Sequence, residues 1–419
     1  MQIEHSFSNG YVMTKALYLH IPFCARKCAY CDFSSWATPA GDPLMAAYAR
    51  ALEEQLTEAA ALGLVEGCET AYVGGGTPTL LGEKNLGSLV SAVRSVAPGI
   101  AELSCEANPD SLTDGVIDAL RAAGATRLSV GVQSLDDGEL AELGRLHDAA
   151  CARGRVAAAV ASGLDVSVDL MCATPGQTDE SWRRTLEGAL ALGVGHVSAY
   201  PLQIEEGTAL DRRYADDPCP WNSDEVQAAR MSEAQVMLEG SGLARYEVAS
   251  YAAAGKRCRH NIAYWTGLSY LGLGTGASSM LNLKEYLRFR EVAPQLPKPP
   301  EGTARARLTV TTGRRELAAD PRLAALSASL EFLTEAQAAT EDLMLGARLV
   351  DGLDPALVSR ARDLLGARLN DALADLLSRG LLAEKNGRLA PTESGWLLGN
   401  ELYGALWDLA PGEVLTASC

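Results

Sequence analysis

The sequence has no run of 18 apolar residues, and its most apolar stretches, such as Ala157–Ala161, are short and alanine-rich, as in packed helices. No integral membrane segment is expected. Residues Met1–Lys15 lack a basic start followed by an apolar core, and they lack a small-residue cleavage site. No secretory signal is read there, so a cytoplasmic location is the expectation. Basic charge is scarce: 36 Lys and Arg face 53 Asp and Glu, a formal net charge of −17. Such a chain gains little from phosphate backbones or anionic headgroups, which argues against nucleic acid and polybasic membrane contacts. Paired cysteines are also missing over most of the chain. Cys68, Cys105, Cys151, Cys172, Cys219 and Cys419 have no close neighbour, and read as small buried hydrophobes rather than a disulfide framework.

What is there suits a globular protein with a sizeable core: 419 residues, 47% hydrophobic, enough for one large domain and a smaller one. From residue 17 to about 250, short β-branched or apolar runs alternate with longer amphipathic ones. Strands are predicted at Leu17–Ile21, Thr70–Val73, Ile100–Glu106, Arg127–Val132, Asp165–Met171 and His196–Leu202. Helices are predicted between them, at Pro43–Leu62, Glu83–Val96, Thr113–Ala123, Ala149–Ser162 and Asp179–Leu192. Asp42 before Pro43 is a ready N-cap, and Thr113 followed by Asp114 gives an acidic first turn. This alternation calls for an α/β fold with parallel strands and right-handed crossovers. A full barrel, a partial barrel and an open doubly wound sheet all satisfy it.

Residues 291–306 carry four prolines, Pro294, Pro297, Pro299 and Pro300, and predict a linker or surface loop, taken as 291–325. The large domain is thereby 12–290 and the smaller one 326–410. In the latter, helical patterns at Thr334–Val350, Pro355–Leu365 and Leu369–Arg379 precede Gly380 and a hairpin pattern, Leu381–Glu384 with Arg388–Pro391. Helices followed by a β-wing suggest a winged-helix-like unit. In an acidic chain it reads as a packing or lid module rather than a DNA reader.

The chemistry is concentrated in Leu17–Trp36, LYLHIPFCARKCAYCDFSSW. A strand ends at Ile21, Pro22 turns the chain, and Cys24, Cys28 and Cys31 follow at C-x3-C-x2-C. In a loop that spacing lets three thiolates converge on one metal centre. Thiolate is the soft ligand favoured by iron–sulfur clusters and by zinc, and three ligands leave one position open. Zinc with His20 as fourth ligand is the structural alternative, although this is not a usual zinc-finger spacing and no second cysteine pair follows at the usual interval. Gly272-Leu-Gly-Thr-Gly-Ala277 imitates a dinucleotide fingerprint, but the acidic residue that follows, Glu285, comes too early, and no fresh βαβ unit surrounds it. Close backbone packing near the barrel mouth is the better reading.

C-x3-C-x2-C after the first strand, with Tyr30 just before the last cysteine, resembles the radical S-adenosylmethionine (SAM) superfamily. The wider pattern, Tyr18-Leu-His20-Ile-Pro22-Phe23-Cys24, is similar to one branch: oxygen-independent coproporphyrinogen III oxidase and its paralogue, the HemW-type heme chaperone. The resemblance extends from Tyr18 through the C-terminal module. It implies a partial (β/α)6 barrel, a 4Fe–4S cluster on Cys24, Cys28 and Cys31, and SAM chelating the open iron. Strand ends are where α/β proteins place ligands. There the resemblance places Gly74-Gly75-Gly76-Thr77 at the methionyl amine of SAM, and Glu106, Gln133, Arg145 and Asp169 around the rest of it, with Tyr18 and Tyr30 contributing. Each of these taken singly reads as an ordinary turn or loop residue.

Two features separate the branches. Phe33 stands where the oxidase branch has a fourth cysteine. Arg259-His260-Asn261-Ile262-Ala263-Tyr264-Trp265 matches HNxxYW, typical of the heme-chaperone branch. His260 is the expected axial heme ligand, with Cys258 the lesser candidate. Tyr264, Trp265 and Tyr270 could face a flat macrocycle, and Lys256, Arg257 and Arg259 could pair with its propionates. The expected function is heme chaperoning with a 4Fe–4S cluster and SAM. The resemblance implies heme, heme-requiring recipient proteins and an electron donor as partners. A coproporphyrinogen-decarboxylating enzyme is the alternative, and a radical SAM enzyme of another substrate class stays open.

Overall fold

The computed structural model describes residues 15–419, so the reading of Met1–Lys15 and the boundary at residue 12 lie almost wholly outside the described residues. Six parallel strands form its centre: β1 (Lys15–Ile21), β2 (Cys68–Gly75), β3 (Glu102–Ala107), β4 (Arg127–Gln133), β5 (Asp165–Cys172) and β6 (His196–Pro201). They lie side by side in chain order. They alternate: Leu128, Val130, Val166 and Val168 pack into the core, while Ser129, Ser167 and Asp169 line the cavity inside the barrel. Each crossover carries a helix: Pro43–Ala61, Gly82–Val96, Asp114–Ala123, Ala149–Ala161 and Asp179–Ala191. Asp42 caps the first through the Leu44 amide, and Thr113 caps the third through that of Val116. Thr178 and Ser181 form a capping box at the fifth.

The sheet does not close. Beyond β6 it continues into the antiparallel strand Ser250–Ala252. On the other side of β1 lies β7 (Tyr270–Leu273), also parallel. An antiparallel meander follows: β8 (Ser278–Asn282), β9 (Thr303–Val310) and β10 (Ala328–Thr334). The result is a partial α/β barrel with an antiparallel flank, which decides among the architectures left open by periodicity.

That flank corrects the domain reading. Residues 291–325 are not a linker: β9 lies within them, and Arg314–Ala319 is a helix. The prolines interrupt regular structure only between the helix Leu283–Val292 and Thr303, and TARARLTV beyond them alternates as a strand should. Likewise β10 belongs to the sheet, so the helical unit begins at Glu335 rather than 326. That unit comprises helices Glu335–Gly346, Pro355–Leu365 and Ala367–Ser378 and the hairpin Leu382–Lys385/Arg388–Pro391. It has its own core around Leu343, Leu353, Leu369, Leu376 and Leu402. It is fastened to the sheet by a two-pronged ion pair from Arg305 to Asp342, at 2.6 and 2.7 Å. The glycine decoy is the tight turn between β7 and β8. A Cβ on Gly274 would lie 2.8 Å from the His20 carbonyl, and one on Gly276 would lie 2.7 Å from Ser34. Among the described residues no helix is long and apolar enough to cross a membrane.

Candidate functional site

The loop after β1 is clipped in place by backbone. Trp36 N donates to the Pro22 carbonyl at 3.0 Å and Thr38 N to that of Cys24 at 2.8 Å, closing its base. Gly76 N and Thr77 N donate to Ile21 and Phe23, at 2.8 and 2.7 Å, which ties it to the end of β2. Cys24, Cys28 and Cys31 all line one cavity of about 610 Å³ that enters the barrel from the strand ends. Arg145 Nη1 lies 3.4 Å from Cys28 Sγ and 3.5 Å from the Tyr30 hydroxyl, setting a cation against the loop. Burial raises the pKa of the Cys24 and Cys31 thiols. His20, the alternative zinc donor, has both ring nitrogens engaged, by the Tyr18 hydroxyl at 3.0 Å and the Ser34 carbonyl at 2.8 Å. It points away from the role of fourth ligand.

The strand-end residues gather around the same cavity. Gly75, Gly76, Glu106, Gln133, Arg145 and Asp169 all line it with Tyr30, as does Asn108, which sequence reasoning passed over. Asn108 is the joint of this wall. Its amide donates to Thr77 at 2.9 Å and its carbonyl accepts from Arg145 at 2.7 Å, while Thr77 reaches Cys24 Sγ at 3.6 Å. The signal was present, two residues beyond Glu106. Gly75 (φ +111°) would drive a Cβ into the His20 ring, and Gly76 would drive one against the Phe23 carbonyl, so both keep backbone exposed to the cavity. Glu106 accepts from Gly75 N at 2.9 Å, and Asp169 from the Ser129 hydroxyl at 3.1 Å. Burial pushes Glu106 up to about 7 and Asp169 up to about 6. Gln133 sits at φ +65°, a strained position for a side-chain-bearing residue, and its carbonyl accepts from Tyr200 at 3.2 Å. Tyr18 lies behind this wall, packed on Tyr72, and does not line the cavity.

These residues fit a 4Fe–4S cluster and SAM in kind: three thiols on one loop, an open cavity beside them, exposed glycine backbone, and two buried carboxylates facing inward.

The HNxxYW segment closes the far end of the same cavity, whose inner reach Asn261 and Trp265 line. It forms the helix Arg259–Trp265 at the opposite end of the barrel, against the starts of β2 and β3. Glu102 holds its first turn, accepting from the amides of Arg259 and His260, each at 3.0 Å. His260 is 1% exposed and does not line the cavity. Thr70 Oγ1 lies 3.0 Å from its Nδ1 and the Tyr264 hydroxyl 3.1 Å from its Nε2. Burial lowers its pKa to about 3, so the imidazole is neutral. The expectation of an axial nitrogen presented to heme is therefore not met in this conformation: both nitrogens are spent inside the protein. Tyr264 and Tyr270 pack edge-on against each other rather than facing outward. The expected propionate partners are also engaged: Lys256 with Asp165, Arg257 with Asp351 at 3.0 Å and Arg259 with Glu69 at 3.8 Å. Cys258 is buried, its thiol directed at Glu102 at 3.4 Å, but it does line the inner reach of the cavity.

A radical SAM superfamily model matches residues 18–189, and a HemN C-terminal domain model matches residues 333–398. The chain is 37% identical over 396 residues to the heme chaperone HemW of Mycobacterium tuberculosis, covering 93% of this chain and 94% of that protein. With the heme chaperone HemW of Bacillus subtilis the identity is 29% over 402 residues, covering 93% and 98%. Among solved structures, coproporphyrinogen III oxidase (HemN) from Escherichia coli superposes with a TM-score of 0.73 at 22% identity, over 94% of this chain and 90% of that one, a likeness of fold. With the three cysteines on the β1 loop, the partial barrel and this identity over nearly its whole length, the chain belongs to the heme chaperone HemW family of the radical SAM superfamily.

Proposed function

We propose that this chain binds heme and passes it to heme-requiring proteins, and that a 4Fe–4S cluster on Cys24, Cys28 and Cys31 and SAM in the barrel control that step. The observation that carries the reading is the single cavity shared by three thiols, two buried carboxylates and a glycine cradle. Glu106 and Asp169 suit the cationic and hydroxyl-bearing parts of SAM, and Gly75, Gly76 and Thr77 its methionyl end. Arg145 offsets the negative charge of the thiolates, with Gln133 and Tyr30 completing the wall. A reduced cluster supplies the electron for SAM chemistry when both are bound, and an electron donor is a partner in that case.

Heme itself is supported by the relatives, which carry the name heme chaperone HemW. His260 is the proposed ligand within the HNxxYW helix. Its neutral imidazole is the form that coordinates iron, so no proton has to leave at physiological pH. Coordination requires the helix to release it from Thr70 and Tyr264. The test is anaerobic reconstitution followed by heme titration with and without SAM. A Soret band that saturates at a defined stoichiometry is expected, and a chain that binds no heme overturns the reading. The HemN-like fold favours coproporphyrinogen decarboxylation as the second reading. Phe33, 66% exposed at the cavity mouth in place of a fourth cysteine, speaks against it. No protoporphyrinogen should form from coproporphyrinogen III with SAM and reductant.

A further inference from the structure

Tyr72 stands between the two ends of the barrel. It lies on β2, two residues past Thr70, which hydrogen-bonds His260, and three before Gly75, whose amide donates to Glu106. Residues 70, 72 and 74 share one strand face, which here points into the barrel. The Tyr72 ring and the Glu106 carboxyl close together over Gly74, where a Cβ would lie 2.8 Å from the first and 2.9 Å from the second, and the two groups interact. Its ring stacks on the His260 imidazole, centroids 5.0 Å apart and planes at 24°. Tyr72 lines the cavity, whereas His260 behind it does not.

We propose that Tyr72 is a positioning residue that transmits ligand binding at Glu106 to His260. The inference rests on the reading that Glu106 faces SAM. A carboxylate that turns to a cationic or hydroxyl group in the cavity gives up its interaction with the tyrosine. With the ligand filling the cavity that loss is not made good by water, so the hydroxyl seeks another acceptor and the ring shifts with it. The ring is packed on the imidazole, and its displacement loosens the hydrogen bonds of His260 to Thr70 and Tyr264. Those are the bonds that must open before either nitrogen can reach iron. The coupling is reciprocal: whatever SAM does to the helix, an opened helix does to SAM affinity.

The test uses hydrogen–deuterium exchange of the Arg259–Trp265 amides in the full chain with its cluster reconstituted, with and without SAM and with no heme present. SAM is expected to speed exchange of this segment severalfold in the wild type. Tyr72→Phe keeps the ring and removes the hydroxyl. It should still bind SAM by calorimetry, yet show no SAM-dependent change in the segment. A wild type whose segment ignores bound SAM overturns the proposal, as does a Tyr72→Phe chain that responds like the wild type. Reciprocity gives a second measurement: heme should alter SAM affinity in the wild type and leave it unchanged in Tyr72→Phe. Because the exchange arm contains no heme, a failure of heme binding strikes the chaperone reading alone.

Discussion

The two ends of the barrel are built on opposite terms. At the strand ends, Cys24, Cys28, Cys31, Glu106 and Asp169 line an open cavity, and burial holds the two carboxylates well above their ordinary range. At the other end, Glu102 accepts from the first amides of the HNxxYW helix, and Thr70 and Tyr264 engage both nitrogens of His260. The first arrangement is expensive in the absence of a ligand and is relieved by one, the mark of a binding site. At the second, both nitrogens of His260 are engaged, so a ligand to its imidazole has to displace existing bonds. Exchangeable cofactors suit the first end, and a gated cargo the second.

The sharpest break of this comparison is at the cysteines. Replacing Cys24, Cys28 or Cys31 with Ala should abolish the 4Fe–4S absorption of the reconstituted protein, while Cys68→Ala and Cys151→Ala, away from the loop, should retain it. A full cluster in Cys28→Ala would remove the open end's claim to a metal.

Next in size is His260→Ala, expected to alter or abolish the Soret band on heme addition while iron and SAM content stay at wild-type levels. It also strips Thr70 and Tyr264 of a partner, at about 1–3 kcal/mol of stability. His196→Ala is the control, buried alike but lining the cavity's inner reach, so its SAM content is checked as well. Its imidazole is equally buried between two hydroxyls, Ser167 at 2.6 Å and Tyr246 at 2.9 Å, so it should be destabilised similarly yet titrate heme normally. Equal heme binding in both variants would pass the ligand role to Cys258.

At the open end Asp169→Asn keeps the volume and an acceptor for Ser129 but loses the charge. SAM affinity should fall on the order of tenfold to hundredfold, about 1.5–3 kcal/mol, by calorimetry. Unchanged affinity would take Asp169 out of the site.

The smallest effect is on pH. Burial raises Glu106 from 4.5 to about 7, so between those values the folded state holds more protons than the unfolded one. This group's contribution to stability therefore falls as pH rises through that window. A sulfonium ligand has the opposite preference, because it favours the ionised carboxylate. SAM should bind on the order of tenfold more weakly at pH 5.5 than at pH 8. Glu106→Gln should flatten that dependence, and a wild-type affinity flat over the same range would show that Glu106 does not face the cation.

Much of this was legible in the sequence. The six parallel strands and five crossover helices follow from alternating apolar periodicity, and caps such as Asp42 and Thr113 act where their spacing places them. The choice of strand-end residues came from the family resemblance, and a parallel sheet, which puts every strand's last residues on one edge, brings them to one cavity. The flank of β8 to β10 was not, because Pro294–Pro300 drew the eye past a strand that begins just beyond them. Asn108 was missed because its work is to join Thr77 to Arg145, which follows the helix Asp137–Glu142, a relation that only the folded chain shows.

By itself, then, the sequence determined the thiol loop, the parallel order of the central strands and the family, because each is written in residues near one another along the chain. Only the tertiary structure decided that His260 is shut behind Tyr72, with Thr70 and Tyr264 on its nitrogens. Thr70 is 190 residues away in the chain. An imidazole's availability depends on what surrounds it, and packing alone sets those surroundings.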